Sequence, residues 1–398
     1  MYDAEFDPER KRTGMSSRNA AIAGLYLMLL AGLASRAYFY SQYDLDMMGY
    51  IGNALAISGA SVREIHDTAY RALSAEVPGP LQDHLLGRDA PVGMPDSRQD
   101  RSVNPYHYAE YLPCFAIRPI YNELIYLLHF RLGVGLVRST IVIPVLSYWL
   151  TGALIFFWLS SYLGFARAAA GSLLLMLAPP ILGLARFNGP DALACLTVLS
   201  AIYLIFERNS LFWGLTLLLL AIYVRTDNVL MAIAVLAYAS LVTRQLEKKY
   251  AAILALLGVT SVAIINHFAG DYGIRMLYYR SFIAVPIAPG EMVAQFGMID
   301  YLRAFRIAVS QTVNSYFPLF ALMGVVGYLG RKTGTNAILA ALNTFYVAAH
   351  FVLFPSGQER FWGPFYIGSG MMMAIAACGD RQKTSAPSPE PAENRFPS

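Results

Sequence analysis

What most limits how this chain can fold is a run of apolar residues that recurs about ten times, each close to the roughly 17 to 25 residues needed to cross about 30 Å of hydrocarbon. The runs lie near 19 to 40, 139 to 163, 168 to 184, 190 to 206, 210 to 224, 228 to 244, 250 to 268, 308 to 330, 335 to 354 and 362 to 378. One soluble core cannot hide so much apolar surface, since 56% of the 398 residues are hydrophobic and only 14% are charged. The expected fold class is all-α: a polytopic transmembrane helical bundle of about ten spans, or about eleven if the short apolar stretch 119 to 132 also crosses.

Side assignment follows from the basic residues, which gather on the cytoplasmic side of spans. Counting 119 to 132 as a span would place "TRQLEKKY" and "GRKTG" outside. Reading it instead as an interfacial helix puts Arg167, Arg208, Arg244, Lys248, Lys249, Arg331 and Lys332 inside, with both termini. The first run, "NAAIAGLYLMLLAGLASRAYFY", behind a basic start, reads as an uncleaved signal anchor. The membrane-embedded domain is then 1 to 378, with extracytoplasmic loops at 41 to 138 and 269 to 306 and a Pro- and Ser-rich tail, 379 to 398, expected to be disordered in the cytoplasm. The middle of the first loop, "PGPLQDHLLGRDAPVGMPDSRQDRSVNP", has no periodicity and reads as an irregular cap. A net charge of +4 spread over scattered basic residues offers no surface for nucleic acid. Cys114, Cys195 and Cys378 make neither a CxxC nor a Cys/His ligand spacing.

With that topology, every polar cluster at membrane depth falls on the outer face, and charged residues there tend to mark function. They include Arg186 and Asp191 in "ARFNGPD", Arg225 in "VRTDN" and Arg360 in "FPSGQER". After the first span comes "YDLDMMGYIGNALAISG", in which Asp46, Tyr50 and Ala54 share one face of a helix that Asp44 or Asp46 can cap.

"DMMGYIGNALAISG" resembles the first extracytoplasmic loop of the GT-C superfamily of integral-membrane glycosyltransferases, which includes protein O-mannosyltransferases and the lipid A aminoarabinose transferase. In that group an acidic residue after the first span precedes a Tyr, a small residue and a Gly at similar spacing. "AIRPIYNELIYLLHFRLGVGLVRS" is similar to the segment that closes the loop, with Arg118 at its basic position. "FPSGQERFWGPFYI" is similar to a late Arg-aromatic-Pro element. Met47 stands where many relatives carry a second acidic residue, and Ile120 replaces a second Pro.

The resemblance implies a polyprenyl-phosphate-linked sugar as donor, a glycan, lipid or protein as acceptor, and Asp46 as catalytic residue. The chemistry agrees with the residue types. A base must take the proton of the acceptor hydroxyl, and cations must hold the departing phosphate. Asp46 supplies the first, while Arg118, Arg225, Arg360, Arg186 and Arg280 supply planar, bidentate cations for the second. Asp44, Tyr50 and Asp191 complete the expected substrate-binding set. No metal is assigned, although a divalent ion bridging Asp46 and the phosphate stays open, as does a two-ligand pair of His107 and Glu110 in "NPYHYAEY". The competing function is a transporter or flippase of a lipid-linked sugar. Transporters commonly carry repeated halves with sites at the midplane, and no duplicated half is visible here.

Overall fold

The computed structural model describes residues 16–90, 96–292 and 295–378; the expected tail and the first fifteen residues lie outside the described residues. Among the described residues every named element is helical, and the only pairing of extended backbone is an isolated parallel bridge between Gln42 and Phe187.

Five helices are long and apolar enough to cross a membrane: Ser17–Phe39, Leu136–Leu163, Lys248–Phe268, Gly334–Leu353 and the Glu359–Cys378 stretch. Two further spans arise if each of two bent pairs counts as one: Phe165–Met176 with Pro179–Arg186 at 68°, and Met298–Val313 with Phe317–Gly330 at 69°. The breaks have a local cause. Pro179 and Pro180 start one second member and Pro318 lies in the first turn of the other, where a missing N–H costs nothing. The structure thus holds five to seven long spans where the apolar runs predict about ten, because several runs are broken into shorter helices. The run expected at 308 to 330 starts ten residues earlier as the separate helix Met298–Val313.

Leu136–Leu163 is the hub of the bundle. It packs on Ser17–Phe39, Phe165–Met176 and Asp191–Ile202, and buries Ile155, Phe156, Trp158 and Leu159. Leu25, Met28, Leu256 and Leu329 point outward and exposed, the pattern of helices whose outer face meets lipid rather than water. The tightest helix pair is Phe317–Gly330 against Gly363–Cys378. There Gly327 lets the backbones touch, and a Cβ at 327 would stand 2.5 Å from the Met372 carbonyl carbon. Gly327→Val therefore has to push the two helices apart, and we expect it to cost about 1–3 kcal/mol, read as a fall in melting temperature in detergent.

Instead of an irregular cap, the first loop is a small helical unit with its own core: Met47, Ile51 and Leu55 meet Ile65, Leu73 and Leu85. Val62–Glu76 begins in a capping box between Ser61 and Glu64 and buries Ile65, Ala69 and Leu73 at helical spacing. Gly79–Leu85 and Ser97–Val103 span seven residues each, two turns that leave almost no periodic trace in a sequence. Pro119–Phe130 has 12 residues and is about 18 Å long, too short to cross.

Candidate functional site

Asp46 is the first residue of the helix Asp46–Ile57. Its position follows from ties just upstream: Gln42 N–H donates to the Arg186 carbonyl at 2.7 Å, and the Ser41 hydroxyl donates to Asn188 Oδ1 at 2.5 Å. Asn188 is fully buried and donates onward to Thr140 Oγ1 at 3.3 Å. The N-cap position is Leu45, and Asp44 Oδ1, one residue before it, accepts the Asp46 backbone N–H at 2.9 Å, which satisfies one of the orphan donors at the helix start.

Two guanidinium groups close on the Asp46 carboxylate. Arg280 Nη2 donates to Oδ1 at 3.2 Å, and Arg360 Nη1 donates to Oδ2 at 3.3 Å. Arg280 comes from Gly273–Phe282 in the second loop, and Arg360 from the 3-10 turn Glu359–Trp362. The second loop folds back over the first through Gly270, whose φ of +103° suits glycine and where an added Cβ would stand 3.2 Å from the Pro113 ring. The Arg280 Nη2 that binds Asp46 also donates to the Tyr111 hydroxyl at 3.1 Å. Neither Arg280 Nη1 nor Arg360 Nη2 has a hydrogen-bond partner among the described residues. Arg118 lies over the Tyr50 ring, 5.7 Å from its centroid, and donates to the Cys114 carbonyl at 3.1 Å. It has no carboxylate partner among the described residues. Three guanidinium groups with uncommitted donors therefore surround one carboxylate, a geometry suited to an oxyanion.

The two neighbouring acids are driven in opposite directions. Burial pushes the Asp46 carboxyl up, but Arg360, Arg280 and Arg118 outweigh it and hold its pKa below the ordinary Asp value. Burial and the charge of Asp46 push Asp44 up. An acid with a lowered pKa is ionised above that value, so Asp46 is charged throughout neutral pH. If activity requires the Asp46 carboxylate, its acid limb should lie below the range of an ordinary Asp. Arg360→Gln should move that limb upward. A limb unmoved by Arg360→Gln would disconnect Asp46 from the activity.

Arg225 is held differently. Its Nε and Nη2 donate to Asp227 at 2.9 and 2.6 Å, and its Nη1 pairs with Asp191. Its guanidinium stacks on Phe361, 4.7 Å from the centroid, and Arg360 lies 5.2 Å from the same ring. Each guanidinium nitrogen of Arg225 thus already donates to a carboxylate, using three of its five N–H groups. A cavity of about 370 Å³ opens beside this pair. Arg118, Arg225, Asp227 and Asp271 are among its charged lining residues, and Leu230, Val262, Leu277 and Phe354 among its apolar ones. Tyr278 also lines it.

Of the residues the sequence singled out, Asp44, Asp46, Tyr50, Arg118, Arg280 and Arg360 come together, and Arg225 with Asp191 lies alongside. Arg186 stands apart, its Nε donating to the Tyr40 carbonyl at 2.8 Å. Tyr50 is buried between Phe115 and Tyr121 and supports Arg118 from below. His107 pairs with Asp100 at 2.5 Å, and Glu110 accepts the Gly290 N–H at 3.1 Å, so the two do not converge as ligands. No group of three or more His, Cys, Asp or Glu is placed to hold a metal among the described residues, and both Asp46 oxygens face arginine. Tyr111 was not picked out by sequence, having no signature among the other tyrosines of "NPYHYAEYL", whereas Asp227 belongs to the charged residues bordering the spans on the outer face without being assigned to the substrate-binding set.

Fold and site together define a multi-pass helical membrane protein with a carboxylate–guanidinium cluster where its two long loops meet, beside an apolar-walled cavity. No family model, curated protein or solved structure matches the chain.

Proposed function

We propose that this chain is an integral-membrane glycosyltransferase of GT-C type, moving a sugar from a polyprenyl-phosphate donor to a hydroxyl on an extracytoplasmic glycan, lipid or protein acceptor. The observation that carries this reading is the convergence of Arg118, Arg280 and Arg360 on Asp46, next to a cavity that Arg118 lines together with many apolar side chains. A lipid phosphate has that same division between charge and hydrocarbon.

In this reaction Asp46 takes the proton of the acceptor hydroxyl as that oxygen bonds to the anomeric carbon. The bond from the anomeric carbon to the phosphate oxygen breaks, and the lipid phosphate leaves with the electron pair onto the guanidinium groups. Before the donor arrives, Asp46 serves as counter-ion to Arg280 and Arg360. The incoming phosphate competes for the same nitrogens, which loosens the carboxylate and strengthens it as a base. A membrane assay with a panel of polyprenyl-phosphate sugars tests the proposal. Transfer from at least one donor is expected, and no transfer from any member of a broad panel would overturn it.

For the topology we count as spans the five long helices, the two bent pairs, the shorter apolar helices Leu211–Val224 and Asn228–Leu241, and Asp191–Ile202 with its π-helical extension Tyr203–Glu207, ten in all. Both termini are then cytoplasmic and the site faces outward. Cysteines placed at positions 87 and 248 should be labelled from outside and from the cytoplasm, respectively; the reverse result would invert the topology. The two bent pairs favour one second reading, a transporter or flippase, since broken helices recur in transporters. A labelled donor that changes leaflet in liposomes while keeping its sugar would select that reading.

A further inference from the structure

Arg101 lies in the first loop on the short helix Ser97–Val103 and is only 4% exposed. It forms no ion pair and no hydrogen bond among the described residues, and its Nη1 is fully buried without a partner. Its guanidinium stacks on the Tyr111 ring, 4.0 Å from the centroid. The nearby acids are committed elsewhere: Asp100 to His107, and Asp46 to Arg280 and Arg360. A buried charge without a counter-ion is costly, and such groups are almost always paired.

The same Tyr111 ring carries a second cation. Arg280 lies 5.2 Å from its centroid and donates to its hydroxyl. The two guanidinium groups are therefore within about 9 Å of each other across a buried phenol, close enough in a low-dielectric interior for each to raise the potential that the other presents. Arg101 thus adds an unpaired cation beside the site where Arg280 and Arg360 share the single carboxylate of Asp46.

We propose that Arg101 is the rear electrostatic wall of the anion site, a buried cation whose missing counter-charge is the phosphate group of the ligand held by Arg280 and Arg360. This rests on reading the cluster as a phosphate site. Arg101 does not touch the ligand in this arrangement. It acts through Tyr111 and Arg280, raising the local potential and steadying the ring that accepts from Arg280.

The test uses the full chain in nanodiscs, with polyprenyl phosphate and inorganic phosphate as separate probes. Arg101→Met keeps the stem and removes the charge, and Arg101→Lys keeps the charge and removes the planar stack. For Arg101→Met the expected result is affinity weakened by about tenfold, a shallower dependence on ionic strength, and a melting temperature equal to or above the wild type. Arg101→Lys should recover most of the affinity. Weakening for both probes assigns the effect to any phosphate, and weakening for polyprenyl phosphate alone assigns it to the lipid headgroup. Wild-type affinity in Arg101→Met would overturn the proposal. So would a fallen melting temperature with lost affinity that Arg101→Lys does not restore, the behaviour of a packing residue. If the wild type binds neither probe, the phosphate-site reading itself falls; if it binds and Arg101→Met binds equally well, only the role of Arg101 falls.

Discussion

Asp46→Asn is expected to leave the chain folded and inserted while removing most turnover, by about 10² to 10⁴, the usual contribution of a general base. The amide oxygen can still accept from one arginine, so the helix start and the loop contacts persist, but a neutral amide cannot take the acceptor proton. Asp44→Asn is expected to cost far less. Asp44 accepts no hydrogen bond from an arginine among the described residues; its Oδ1 accepts the Asp46 N–H, a bond that the Asn carbonyl can replace. The measurement is turnover of the two variants at matched membrane expression, with a donor the wild type accepts. Full activity in Asp46→Asn would reduce Asp46 to a counter-ion for Arg280 and Arg360.

The largest effect on stability is expected at Arg225. Arg225→Met removes the one guanidinium between Asp191 and Asp227, and the Asp191 side chain is only 3% exposed. Breaking a buried pair strands its partner, and here two carboxylates are stranded, so about 3–5 kcal/mol should be lost and the melting temperature should drop well below the wild type. Adding Asp191→Asn and Asp227→Asn to Arg225→Met should recover much of that loss, because the stranded charges go with the cation. An unchanged melting temperature in Arg225→Met would mean that water, and not Arg225, solvates the two acids. The contrast with Arg118 is informative. Arg118 lines the same cavity with no carboxylate partner, so Arg118→Met should spare stability and weaken phosphate binding.

Much of the helical architecture was legible in the sequence. The apolar runs at 19 to 40, 139 to 163, 250 to 268 and 335 to 354 each coincide with a long helix, because hydrophobic partition adds up along consecutive residues. Proline also spoke locally: Pro179, Pro180 and Pro318 sit at helix starts, and the stretch 119 to 132 holds the 12-residue helix Pro119–Phe130, too short to span. Reading the first loop as irregular failed for a related reason. Two-turn helices such as Gly79–Leu85 are held by tertiary packing, here of Leu85 in the core that also holds Leu73 and Met47, which leaves no periodic trace.

The candidate site divides along the same line. Asp46 stood out in the sequence because a carboxylate directly after a membrane span is expensive to keep there, and Arg118 and Arg360 stood out beside prolines and aromatics at the outer turns. Which arginines meet Asp46 was decided only in three dimensions. Arg280 is 234 positions away and Arg360 is 314, and both arrive because Gly270 turns the second loop back and Glu359–Trp362 winds tightly before the last helix. Arg225, read in the sequence as one more phosphate ligand, is bridged in the structure by Asp191 and Asp227. Local composition determines what a segment can cross or cap, since those energies sum over neighbours in the chain. Which charges neutralise one another and which are left over, as at Arg101, depends on distances between segments that no local sum contains.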